Sequence, residues 1–114
     1  MIEEITPDSP ILIPESLIVH SEGELKRGLY YYVITAVGDN FSESVPSHIL
    51  QVYAPYKENA ISFEWKNVGV VEYRIYKGTV LGHYDGYVTT FIYKDNPGYI
   101  VDDGSWELNK NVCQ

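Results

Sequence analysis

The stretch Gly28–Gly38, GLYYYVITAVG, decides the fold. It is the longest uninterrupted run of β-branched and aromatic residues in the chain, and it is closed by a glycine at each end. Such residues fit the pleated, half-buried surface of a strand. Side chains alternate across a strand, so Tyr30, Tyr32, Ile34 and Ala36 share one face, and Tyr31, Val33, Thr35 and Val37 share the other. Both faces are largely apolar, which predicts a central strand rather than an edge. The residues that follow, DNFSESVPS at 39–47, supply polar turn chemistry, and Gly38-Asp39-Asn40 tolerates positive φ, so the unit reads as a β-hairpin.

Outward from that hairpin the same pattern recurs. HILQVYA (48–54) predicts the return strand, beginning near Ser42, interrupted by Pro46 and ended by Pro55, with a turn at YKEN (56–59). ISFEWKNV (61–68) alternates, with Ile61, Phe63 and Trp65 on one face and Ser62, Glu64 and Lys66 on the other. VVEYRIYKG (70–78) sets Val71, Tyr73 and Ile75 against Glu72, Arg74 and Tyr76. Residues 79–93 predict one or two short strands with a turn at Tyr84-Asp85-Gly86. KDNPG (94–98) is a further turn, and GYIVDDGSWEL (98–108) is a last strand followed by a tail. SEGELKRG (21–28) predicts a loop or a single helical turn. No window carries an apolar repeat of helical period, and strands recur at sandwich-like spacing. The expected class is all-β, an antiparallel β-sandwich.

Three segments are expected: an extended N-terminal arm or edge strand over residues 1–20, the sandwich over 21–104, and a C-terminal tail over 105–114. Pro7, Pro10 and Pro14 break the first segment, which predicts an arm lying across its own sandwich or reaching a neighbouring subunit. Its apolar residues Ile11, Leu12, Ile13 and Leu17 are candidate interface positions. MIEEITPDSPILIPES has neither a basic leader nor a long apolar run, so no secretory signal and no membrane span are expected.

With 114 residues the chain fits one domain, and 45% hydrophobic content gives it the means to build its own core. The net charge of −8 argues against a nucleic-acid partner, because phosphate-backbone affinity comes from Lys and Arg. The one cysteine, Cys113, cannot form an intramolecular disulfide and reads as a free thiol near a frayed end. Eleven tyrosines against three phenylalanines suggest sheet faces and interfaces, since tyrosine packs its ring while keeping a wet hydroxyl.

Several of these motifs together resemble the fibronectin type III family. GLYYYVITAVGDNFSESVPS is similar to its F–G hairpin, ISFEWKNV to its B strand with a core tryptophan, and VEYRIYKG to its C strand. The resemblance implies that Tyr30 is the corner tyrosine whose hydroxyl bonds back to the backbone. It also implies a core of Tyr30, Tyr32, Ile34, Ala36, Phe63, Trp65, Tyr73 and Ile75. The motif order is permuted, with the F–G-like hairpin ahead of the B–C-like pair. That order resembles the fibronectin-like modules of tailed-phage virion proteins, whose closing motif is matched loosely by Thr89-Thr90-Phe91 and Asp102-Asp103-Gly104. The likeness covers about residues 25–104.

Chemistry is sparse. His20, His48 and His83 lie in separate segments outside any nucleophile motif, so surface or strand-edge roles are expected, and an enzyme is not. Asp95, Asp102 and Asp103 lack the alternating spacing of a calcium loop and read as solvated turns, so no metal or other cofactor is expected. Tyr84, Tyr87 and Trp106 are candidate interface aromatics, with Trp106 either contacting a partner or folding back as a latch. The resemblance implies a virion structural or accessory protein, in a head decoration or a tail, collar or fibre, docking onto other virion proteins or copies of itself. The alternative is a carbohydrate- or cell-surface-binding module that uses exposed aromatics such as Tyr84 and Tyr87.

Overall fold

The computed structural model describes residues 6–110; Cys113 and the extreme ends of the expected arm and tail lie outside them. Five strands form one curled antiparallel sheet: β1 (Ile11–Val37), β2 (Leu50–Lys66), β3 (Glu72–Gly78), β4 (Gly86–Phe91) and β5 (Gly98–Asp102). Their order is β4-β3-β1-β2-β5, and the described residues contain no helix.

The curl comes from the two long strands. β1 and β2 pair along most of their length, but the register shifts between Ile13 and Ile18, between His20 and Leu25, and between Lys26 and Gly28. Unequal residue counts on paired strands bend and twist a ribbon. Beyond these bends β1 runs beside β3, with Ile34 opposite Ile75 and Ala36 opposite Tyr73. Before them it pairs with the far end of β2, which pairs with β5. The two halves of the sheet thus face each other. The Tyr32 and Phe63 rings meet at 5.1 Å and those of Trp65 and Tyr73 at 5.4 Å, both across the single core.

That core is the expected one: Tyr30, Tyr32, Ile34, Ala36, Phe63, Trp65, Tyr73 and Ile75 are all buried in one cluster. β1 is covered on both faces over residues 30–37, as its two apolar faces require. The Tyr30 hydroxyl donates to the Lys26 carbonyl four residues back. Gly98 lets β5 lie flat on Trp65, where a Cβ would come within 1.9 Å of the indole ring.

The bends explain where the structure departs from expectation. SEGELKRG is neither a loop nor a helical turn but part of β1, because a bulge absorbs its extra residues. Gly23 sits there at φ +115°, and a Cβ would come within 2.4 Å of the Asn59 carbonyl oxygen. Pro55 does not end β2. It lies in the bulge opposite Arg27, where a missing N–H breaks no ladder bond, and its carbonyl accepts from Arg27 Nε at 2.9 Å. Asn59 pins the same bend. Fully buried, it donates from Nδ2 to the carbonyls of Leu25 (3.1 Å) and Tyr56 (2.8 Å) and accepts from Tyr56 N–H (3.1 Å).

The boundary expected after residue 20 falls inside β1. Residues 11–20 form an edge strand paired with β2 of the same chain, not a free arm, and Leu12 and Leu17 turn inward against the core. The return strand starts at Leu50, later than expected. Residues 43–48 cover the edge of β1 without being a strand. Ser44 N–H donates to the Ala36 carbonyl and Ser47 N–H to that of Ile34, both at 2.8 Å. Their hydroxyls accept in return from Ala36 N–H and Ile34 N–H, each at 2.9 Å. Pro46 cannot donate to a ladder, so two serine hydroxyls do the work of backbone carbonyls.

Candidate functional site

Three places on this frame carry groups beyond what packing requires. The first is the end of the sheet where β1 stops, β3 starts and β4 stops, with Val37, Glu72 and Phe91 in register. The turn after β1 presents Phe41 at φ 64°, 85% exposed, and Tyr93 beyond β4 is 82% exposed. Val71 and Phe91 are exposed at the same end. Its loops are braced, not loose: Asn67 Nδ2 donates to the carbonyls of Tyr93 and Asn96, each at 2.9 Å. Pro7, Gly38, Asp39, Asn40 and Val70 line a shallow groove of ≈ 290 Å³ beside Phe41.

Glu43 anchors the turn that carries Phe41. Its carboxylate accepts from the Thr35 hydroxyl at 2.6 Å and from the Tyr76 hydroxyl, and it pairs with Arg74 at 2.9 Å. Burial, and next the hydrogen bond to Glu43, pushes the Tyr76 pKa up to about 12, so this phenol stays a donor through neutral pH.

The second place is the outer face of the other half of the sheet. Ile18, Ser62 and Val101 form one cross-strand row, and Ile13, Glu64 and Tyr99 form the next. Ile18 and Tyr99 are each about half exposed, at 53% and 52%, while Ser62 lies buried between its neighbours. His20 Nε2 is 3.0 Å from Ser62 Oγ. A serine–histidine contact is the start of a nucleophile pair, but this hydroxyl lies mid-strand and covered, and among the described residues no acid orients the imidazole. The contact does local structural work.

The third place lies between the halves. Lys77 at the end of β3 and Asp102 at the end of β5 meet at 2.7 Å, the carboxylate fully buried and the lysine side chain 14% exposed. The Tyr32 hydroxyl donates to Asp102 Oδ2 at 2.7 Å, and Gly104 N–H donates to Oδ1 at 3.0 Å. The Lys77 Nζ sits 5.4 Å from the centre of the Tyr30 ring and 5.6 Å from that of Trp106. Burial, and next the Asp102 charge, raises the pKa of Tyr32 far above the phenol range and that of Tyr30 as well.

Of the aromatic candidates, Tyr87 is buried, packed on Tyr76 at 5.1 Å with Arg74 over its ring at 4.9 Å. Tyr84 is half-buried beside Tyr76. Trp106 is the latch: it meets the Tyr32 ring at 6.1 Å and donates from Nε1 to the Val101 carbonyl at 3.0 Å. The tail continues to a bridge between Asn109 and Tyr87. Asp102 departs from its expected place in a solvated turn, since its partners Tyr32 and Lys77 lie inside the core; Asp103 stays outside and caps Ser105. Among the described residues no group of three or more His, Cys, Asp or Glu side chains converges on a common point. No helix among them is long and apolar enough to cross a membrane.

The excess of tyrosine pointed to exposed rings such as Tyr93, but period-two reading stops in the turns that hold Phe41 and Tyr93 and did not place them at one end. Scanned against protein-family models, curated proteins and solved structures, the chain matches none of them.

Proposed function

We propose that this chain is a non-enzymatic docking module, a fibronectin type III-like β-sandwich built into a virion as a head decoration or a tail, collar or fibre component. The fold part of the reading draws on strand adjacency. Residues 11–20, 60–66 and 98–102 pair as one layer, and 50–54, 28–37, 72–78 and 86–91 as the other, around one core. The Tyr30 corner bond fits the same reading. The virion part draws on the permuted motif order in the sequence.

The observation that carries the docking role is the braced, apolar end bearing Phe41, Val71, Phe91 and Tyr93. Rigid loops presenting large apolar side chains meet a partner at low entropic cost, which is what an assembly contact needs. A sugar-binding role is less well served, since Tyr87 has no free ring face for stacking.

The test is proteomics and cryo-electron microscopy of purified particles from cells carrying the gene. The expected result is stoichiometric incorporation, with the Phe41–Tyr93 end against a neighbouring subunit. Absence from particles would sink the virion role, and a solvent-facing Phe41 end in the assembled state would sink the docking surface.

A further inference from the structure

We propose that Lys77 and Asp102 are the partners of an intramolecular amide cross-link, closed by loss of one water between the two halves of the sheet. Four features of the site converge on that step. The amine and carboxylate are already in contact at 2.7 Å. Both sit among the rings of Tyr30, Tyr32 and Trp106, where little water competes. The two carboxylate oxygens have different partners, Oδ1 the Gly104 N–H and Oδ2 the Tyr32 hydroxyl. The strands that carry them, β3 and β5, are not neighbours in the sheet, so no ladder hydrogen bonds join them.

The chemistry balances without a co-reactant. The step begins as one ammonium proton passes across the 2.7 Å contact from Nζ to Oδ2, giving a neutral amine beside a carboxylic acid. The Nζ lone pair attacks Cγ, the C–N bond forms, and the carbonyl electron pair moves onto Oδ1, where the Gly104 N–H stabilises the developing charge. A second Nζ proton passes to the Oδ2 hydroxyl, the Oδ1 electron pair re-forms the carbonyl, the C–Oδ2 bond breaks, and water leaves. Nζ keeps one hydrogen, the product is a neutral amide, and nothing is oxidised or reduced. The Tyr32 phenol, held protonated by its surroundings, steadies Oδ2 as it becomes the leaving water. The positioning roles belong to Tyr32 and Gly104, and only Lys77 and Asp102 change bonds.

Intact-mass spectrometry of the denatured full chain tests this. The expected mass is one water below that of the sequence. Lys77→Arg and Asp102→Ala should each restore the full mass, and the readout holds whether or not these variants fold. Succinimide formation at Asp85-Gly86 or Asp103-Gly104 also loses a water, so the bond must be located as well. Tryptic digestion should yield a branched peptide joining residues 75–94 to residues 95–110, with no cleavage after Lys77. A wild-type chain at full mass overturns the proposal and leaves an ion pair only. A water loss that survives Lys77→Arg, or that maps to an Asp-Gly pair, overturns it too.

Discussion

Residues 30–37 and residues 11–20 belong to the same strand, yet the former are covered on both faces and the latter on one. The distinction lies in their neighbours. Residues 30–37 have β3 on one side, β2 and the serine-lined segment 43–48 on the other, and the facing half of the sheet beneath. Residues 11–20 have β2 on one side and an open edge on the other. Both stretches are rich in isoleucine, valine and leucine, so hydrophobicity alone does not say which will be core. Neighbours decide it.

The largest effect that sharpens this contrast comes from truncating equivalent residues on the two stretches. Ile34→Ala empties a fully buried site and should cost about 2–5 kcal/mol in urea unfolding. Ile18→Ala, on the outer face, should stay within about 0.5 kcal/mol. Equal losses would mean that the outer face is covered in solution.

Hydroxyls give a second, smaller contrast. Ser47 accepts from the buried Ile34 N–H, so Ser47→Ala leaves that donor unpaired and should cost about 1–3 kcal/mol. Ser16 fills the analogous gap in the other stretch, accepting from Glu64 N–H at 2.8 Å and donating to the Ile13 carbonyl at 2.6 Å. Water can reach that site, so Ser16→Ala should cost about 1 kcal/mol or less. If the two substitutions cost the same, solvent access is not what separates the stretches.

Alkali distinguishes the stretches next. The Tyr76 hydroxyl braces the β1–β3 side, and its pKa is raised from 10.0 to about 12. A raised folded-state value means the folded chain holds its proton more tightly, so this stabilisation is complete below pH 10 and is lost as the pH climbs toward 12. Denaturation midpoints should fall across that window, and Tyr76→Phe should flatten part of the fall. A wild-type midpoint that stays constant there would contradict the environment assigned to Tyr76. The smallest expected effect on stability is that of Phe41→Ser with Tyr93→Ser, within about 0.5 kcal/mol, accompanied by loss of particle association.

Much of the core was legible in the sequence. The two-faced run at 30–37 and the alternation of Ile61, Phe63 and Trp65 report burial directly, because side-chain period and strand geometry coincide there. Residues 11–27 were not legible, because Pro14, Gly23 and the polar run between them are ordinary loop signals. Here they sit at bulges inside a continuing strand. Pro55 misleads for the same reason. Tyr87 looked available for contact, and the Arg74 and Tyr76 packing and the Asn109 bridge remove it. Lys77 and Asp102 are distant in sequence and each reads alone as a surface charge, so their meeting belongs to the curl of the sheet.

β1 and β2 thread both halves, and Asn59 and Gly23 fix the angle at which they bend. Both halves therefore share two continuous strands and are not joined by a separate linker. The Phe41 end and the Ile18–Tyr99 face are thus carried on the same pair of strands. Partners gripping both would be set at a distance and bearing written into three bulges.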